Sequence, residues 1–293
     1  MHTLFVIVLL SLPKIGAYAI FALGIVLMYR ASRILNLAHG AMAMVPAYLC
    51  YTMVQAGVPI AFALPFGVLS GAALGVFVER LFIQRLAGEG PTVQTVSTVA
   101  ALGVLVAVAA KVWGTTPLPA PRVFPESFVR VGNSGIRGGE IGLFVVMLLV
   151  TGALVALFRF TDIGLYIRGA AENKRAASLM GVDPQRITDL VWAMGGGLAA
   201  LSGILLAGVT NLHPYTLTLQ ALPAFVAVLL GGLDTVTGGV RGAVIVGLTL
   251  GAVPFLPAGG AEGAPQLFLA ALALVVMATR GERLVGSDIR SGI

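Results

Sequence analysis

The sequence predicts an all-α integral membrane protein, a polytopic helical bundle of about eight or nine membrane segments, some of them broken or re-entrant. Three observations predict it. Only 10% of the 293 residues are charged and 58% are hydrophobic, whereas soluble domains carry about a quarter charged residues. Residues 34–78 contain no Asp, Glu, Lys or Arg. As one helix that run would reach about 67 Å against a hydrocarbon core of about 30 Å, so it must cross twice. Finally, the basic residues gather between the apolar runs, as loops facing an anionic leaflet require.

The predicted segments are 4–29, 38–55, 60–78, 95–113, 141–158, 190–210, 220–233, 242–257 and 265–279. The first opens with MHTLFVIVLLSLPKIGAYA, and Ala17-Tyr18-Ala19 has the small-x-small form of a signal cleavage site. No Lys or Arg precedes its apolar run, which continues through Met28, so it reads as a retained span. The second and third segments part at VQAGVPI, where Gly57 and Pro59 break the helix. The fourth and fifth flank a long outer loop. Residues 190–233 again lack charge and divide at TNLHPYT. The two short segments between 220 and 257 read as half-helices meeting inside the membrane. Together the segments form one transmembrane domain over 1–293, with 159–189 as an inner loop.

Orientation follows from Lys and Arg. With the N-terminus outside and the C-terminus inside, thirteen of the eighteen basic residues are internal, including Arg30, Arg33, Arg80, Arg85, the run from Arg159 to Arg186, and Arg290. The long outer loop holds only Arg122, Arg130 and Arg137. Small residues at four-residue spacing form three stripes: Gly67, Gly71 and Gly75; Gly195, Ala199, Gly203 and Ala207; Gly239, Ala243, Gly247 and Gly251. Such stripes let helix backbones approach closely in lipid.

Chemistry is conspicuous by its absence. Lys14, Lys111 and Lys174 follow no P-loop glycines, there is no HExxH, and His2, His39 and His213 are far apart. The single cysteine, Cys50, excludes an internal disulfide and a cysteine-rich metal site. Asp189 and Asp234 lie at span edges, leaving no carboxylate near a midplane. Ion-coupled carriers keep such groups at depth. Either coupling energy arrives from outside this chain, or the protein is a passive pore. An enzyme would need a nucleophile–base pair or a metal cluster, and the chain holds no catalytic, cofactor-binding or metal-binding constellation. The net charge of +6 points to membrane lipid, with no nucleic acid as partner.

The most polar inner loop, RFTDIGLYIRGAAENKRAASLMGVDPQRITD, covers 159–189. A helix over 167–181 would place Arg168, Glu172 and Arg175 on one face at ion-pairing spacings. Ala170, Ala176, Ala177 and Met180 would lie on the other, and Gly181 would stop the helix. A small alanine-rich face suits docking into a protein groove better than lying on a leaflet.

This loop and its flanks resemble the membrane permeases of ABC-type branched-chain amino-acid importers, of the LivH type. The resemblance runs through ILNLAHGAMAMVPAY, GAAENKRAASLMGVDPQRI, LPAFVAVLLGGLDTVTGGVRGAVIVGLTLG and the final VVMATRGERLVG. It implies an ATP-driven import permease in a bacterial inner membrane, multi-pass with a cytoplasmic C-terminus. Its expected partners are a second permease of the LivM type, two ATP-binding cassette subunits that carry ATP and Mg, and an extracytoplasmic solute-binding protein. No cofactor belongs to this chain itself.

By the same resemblance, residues 168–183 form the coupling helix, with Arg168, Glu172, Arg175, Ala176, Ala177 and Gly181 facing the ATPase. The family's glutamate before the alanine pair is Arg175 here. Asn36, His39, Gly40 and Phe225 are expected along the translocation pathway, with interhelical hydrogen bonding the alternative role for Asn36 and His39. The family often has an acid where Ala41 stands, a lysine at Pro223 and a proline at Thr237. Branched-chain or related small amino acids are the expected solutes. Urea, short amides or another small polar solute are the alternative, and an ATP-independent carrier or channel a more distant one.

Overall fold

The computed structural model describes residues 2–121, 123–124, 128–131, 134–208, 210–233, 235–256 and 263–285. Arg122, Asp234 and Arg290 lie outside the described residues. Helices follow in the order α1 (His2–Ser32), α2 (His39–Gln55), α3 (Ile60–Val78), α4 (Pro91–Trp113), α5 (Gly138–Phe160), α6 (Asp162–Glu172), α7 (Lys174–Leu179), α8 (Pro184–Ala207), α9 (Pro214–Leu219), α10 (Ala221–Gly231), α11 (Val236–Ala252) and α12 (Ala264–Val285). A π-helical turn, Glu79–Ile83, and a 3-10 turn, Gln84–Leu86, extend α3.

Each predicted membrane segment coincides with a helix. Among the described residues seven stretches are long and apolar enough to cross a membrane, among them Pro214–Gly231, which joins α9 to α10. The 17-residue α2 and the apolar part of α12, Ala264–Ala278, are shorter. The connection between α4 and α5 departs from a purely helical chain by a small antiparallel strand pair, β1 (Phe128–Val131) on β2 (Ser134–Arg137). Leu118 and Leu212 exchange backbone hydrogen bonds of 2.9 Å, tying that loop to the α8–α9 turn.

The turns obey local chemistry. Gly57 takes φ +87°, which glycine adopts without a Cβ penalty. Pro184 opens α8 where its missing N–H costs nothing, and Asp183 caps the helix by accepting from the amides of Gln185 (2.9 Å) and Arg186 (3.5 Å).

Burial sorts the helices into centre and rim. Buried residues make up 72% of the apolar stretch of α8 and 61% of that of α1, against 22% each for α3, α4 and α5. The rim helices turn Phe62, Leu69, Val96, Leu149, Leu267 and Leu274 outward, as a lipid-facing surface does. The glycine stripes lie between helices. On α3, a Cβ at Gly67 would meet Ile204 Cδ1 at 2.6 Å, and one at Gly71 the Gly196 carbonyl at 2.7 Å; Gly75 abuts the Trp192 carbonyl. Gly195 packs on Met28 of α1 and Gly203 on Ala43 of α2. Gly239, Gly247 and Gly251 lie against Val26, Ile15 and Ser11 along α1.

One predicted helix is two. The expected single helix over 167–181 breaks at Asn173, whose backbone is extended at φ −152°, ψ 98°. The Asn173 side chain accepts from Ala176 N–H at 2.9 Å and so starts α7 afresh. Asparagine competes for the helix backbone and wins here as a cap.

Candidate functional site

The chain reverses inside the bundle between α1 and α2. The Arg33 amide donates to the Tyr29 carbonyl at 2.7 Å, and Arg33 itself takes φ +58°, a left-handed turn rare outside glycine. Residues 33–38 then run back along α1 without helical structure. His39, the first residue of α2, packs edge-on to Phe21, with ring centroids 5.8 Å apart. A Cβ at Gly24 would meet His39 Cε1 at 2.7 Å. Gly24 stands eight residues before the end of α1, about 12 Å along the helix. Helix α2 therefore begins at depth, with non-helical backbone ahead of it.

Such backbone persists within a membrane only where protein satisfies its polar groups, and the motif residues do so. Asn36 is 1% exposed. Its side-chain oxygen accepts from Ala38 N–H at 3.0 Å, and its own carbonyl accepts from His39 N–H at 3.3 Å. Its amide nitrogen donates to the sulfurs of Met28 (3.3 Å) and Met42 (3.1 Å). Thr98, on α4, accepts from Leu37 N–H at 3.0 Å.

His39 is fully buried. Among the described residues neither ring nitrogen has a partner in hydrogen-bonding geometry, although the Phe21 backbone is near enough to interact electrostatically. At Gly40 a Cβ would overlap the Thr218 carbonyl and lie 3.0 Å from Ala221 Cβ. Glycine thus lets the start of α2 touch the joint between α9 and α10. Gln220 occupies that joint, its Oε1 3.5 Å from the Tyr18 hydroxyl. Phe225 lies farther along α10, half-buried against the core, and among the described residues no ring contact joins it to His39.

Asn36, His39 and Gly40 are therefore one cluster, and Phe225 lies one helical turn beyond Ala221, the α10 residue that approaches Gly40. Sequence reasoning missed Met28, Met42, Thr98, Thr218, Gln220 and Tyr18. Their participation depends on contacts between helices distant in sequence, and a threonine or methionine in an apolar helix carries no local signal of it.

The second candidate region is the α6–α7 loop. Thr161 caps α6 by accepting from Gly164 N–H at 3.2 Å. Arg168 does not pair with Glu172; it turns back and donates to the Phe158 carbonyl at the end of α5. Arg30 of α1 lies 5.4 Å above the Phe158 ring. The break at Asn173 puts Arg175 on a different helix from Arg168 and Glu172, so the three do not share one face. Ala170 faces inward and is buried, while Ala176 is exposed.

Gly181 does end α7, at φ +81°. Its N–H donates to Ser178 O and that of Val182 to Ala177 O, both at 3.0 Å. These two bonds make the paired closure of a Schellman motif. The tip projects Leu179 and Met180, 85% and 83% exposed.

The loop continues into a polar lock between α8 and α3. Gln185 donates to both oxygens of the buried Glu79 (3.1 and 3.2 Å) and to Asp189 (3.0 Å). Asp189 in turn binds Arg80 at 2.5 Å. Among the described residues no group of three or more His, Cys, Asp or Glu is placed to hold a metal ion.

Comparison with known proteins supplies the context for these features. Residues 7–279 match the family described as the branched-chain amino acid transport system permease component. The high-affinity branched-chain amino acid transport permease LivH of Escherichia coli K12 is 26% identical over 250 residues, 80% of each chain. The protein named probable branched-chain amino acid transport permease LivH of Methanocaldococcus jannaschii is 30% identical over 241 residues, 78% of this chain and 75% of that one. The autoinducer 2 import permease LsrD of Yersinia pestis (strain Pestoides F) is 29% identical over 200 residues, 67% of this chain and 59% of that one.

Among solved structures, an inward-facing ABC transporter of the metal-chelate type shares the fold at a TM-score of 0.51 and 14% identity, covering 94% of this chain and 85% of that one. A match over nearly the whole chain, on a helical bundle with an interior break at its NLAHG segment, places the protein: it belongs to the branched-chain amino-acid transport permease family, the membrane subunits of ABC importers.

Proposed function

We propose that this chain moves branched-chain or related small amino acids across the membrane, along a path that passes the break at residues 36–40. ATP would be hydrolysed by separate subunits, and this chain performs no chemistry. The observation that carries the reading is the exposed α7 tip. Leu179 and Met180 stand almost bare at the end of a capped, glycine-closed helix. Helix α6 is anchored to α5 through Arg168 and Phe158, and Arg30 brings α1 to the same ring. A rigid post with an apolar tip is suited to the groove of an ATPase subunit.

The tip is mechanically connected to the break. Helix α1 carries Arg30 at its end and, within the bundle, Met28, Gly24 and Phe21 against Asn36 and His39. Helix α8 starts beside α7 and packs Gly195 on Met28. A tilt of α6–α7 would therefore move both walls around the α2 terminus. Residues Arg168, Glu172, Arg175, Ala176, Ala177 and Gly181 form or brace the docking element in this reading. Asn36 and Gly40 shape the path, His39 packs its wall and Phe225 lies farther along it. The second permease, two ATPase subunits and an external solute-binding protein complete the machine, with the α6–α7 side and the C-terminus in the cytoplasm.

A second reading, transport of another small polar solute such as urea or a short amide, draws on two buried positions. Ala41 and Pro223 occupy sites where an acid and a lysine would offer charge to a zwitterion, and neither can. The test is ATP-driven uptake by the reconstituted complex with Gly181→Asp and Arg175→Glu combined. Transport should fall at least about tenfold while the complex's thermal midpoint stays within a few degrees. Unchanged uptake refutes the docking role. Competition by leucine against urea in the same vesicles decides between the two solute classes.

A further inference from the structure

At the end of α3 that faces the α6–α7 loop, Ala73, Val76, Phe77, Arg80, Leu81 and Arg85 line an open groove of about 390 Å³. The first five recur at spacings of three and four, which puts them on one face of one helix. That face looks away from the bundle: Ala73, Phe77, Arg80 and Arg85 are all exposed. The π turn explains how Arg85 joins them. Residues five apart lie on different faces of an α-helix, but a π turn closes between residues five apart. The Gln84 N–H donates to the Glu79 carbonyl across that interval.

The charges on this face are unbalanced. Arg80 pairs with Asp189, whose carboxylate is shared with Gln185. Glu79 is buried and turned toward Gln185. Arg85 forms no ion pair among the described residues. An apolar strip that ends in two guanidiniums at the limit of a membrane-crossing helix has the charge order of a phospholipid: the first part of an acyl chain along Ala73, Val76 and Phe77, phosphate between the arginines. Arginine pairs bind phosphate oxygens through several N–H donors at once.

We propose that this groove is a binding site for an anionic phospholipid of the adjacent leaflet, with Arg80 and Arg85 clamping its phosphate. Zwitterionic lipids present the same phosphate with a compensating cation and bind more weakly there. The site does not depend on which solute the permease carries.

Native mass spectrometry of the intact permease complex, titrated with phosphatidylglycerol and with phosphatidylcholine, tests it. Arg85→Gln leaves the Arg80–Asp189 pair intact. It should weaken phosphatidylglycerol binding about fivefold, the effect of one basic residue near an anionic surface. Ala73→Phe fills the apolar strip without touching either charge and should also reduce retention, with the thermal midpoint unchanged in both variants. Equal retention of the two lipids by the unmodified protein would overturn the proposal, as would wild-type phosphatidylglycerol binding by both variants. Cross-linking of an Ala73→Cys variant to another subunit of the complex would assign the face to a protein neighbour and overturn it as well.

Discussion

Asn36 closes four polar contacts at the point where the chain turns inside the bundle. Losing its side-chain oxygen would strand the Ala38 N–H in a water-free interior. Asn36→Leu is expected to cost about 1–3 kcal/mol, seen as a lowered midpoint of thermal unfolding in detergent; Asn36→Ser, which retains a local acceptor, should recover part of the loss. At Gly40 the cost is steric. Gly40→Val would drive a side chain into the Thr218 carbonyl, and overpacking of this kind costs about 1–3 kcal/mol. The complex should still assemble but transport slowly, measured as uptake per complex. Both residues were legible in the sequence through the NLAHG motif that carries the family resemblance. Their partners were not, because Met28, Thr98 and Thr218 become relevant only when three other helices arrive.

Helices and their boundaries were the most legible level. Apolar length, Gly57, Pro59 and the TNLHPYT break located every membrane segment, because hydrocarbon thickness and backbone satisfaction leave few solutions. The α6–α7 loop was harder. Helical spacing over 167–181 predicted one face of charges, and Asn173 divided it, since a cap residue outcompetes propensity in a short exposed helix. The glycine stripe on α3 offers a test at this scale. Gly75→Leu should separate α3 from Trp192 on α8 and reduce the yield of folded protein in membranes, whereas Gly103→Leu, where a side chain would meet nothing within 4 Å, should express normally. At the loop, Gly181→Ala places a Cβ at φ +81° and should cost about 1–2 kcal/mol, fraying α7. ATPase stimulation by solute should fall more steeply than basal ATPase activity.

At the scale of the whole molecule, the packing order is centre to rim: α1 and α8 within, α3, α4, α5 and α12 on the outer surface. A tagged chain isolated in mild detergent is expected to bring with it two ATPase subunits and a second permease; a lone homo-oligomer active without ATP would contradict that assembly. The chain's own reversal at residues 33–38 also has a consequence for how the protein is made. That stretch cannot face lipid with its amides bare, and the hydroxyl that receives the Leu37 N–H belongs to Thr98, which is synthesised some sixty residues later. The first two helices therefore cannot settle one at a time as they leave the ribosome. They must wait, sheltered by the insertion machinery, until α4 emerges. A nascent chain arrested before residue 90 should remain cross-linkable to the translocon, and one arrested well past residue 113 should be released.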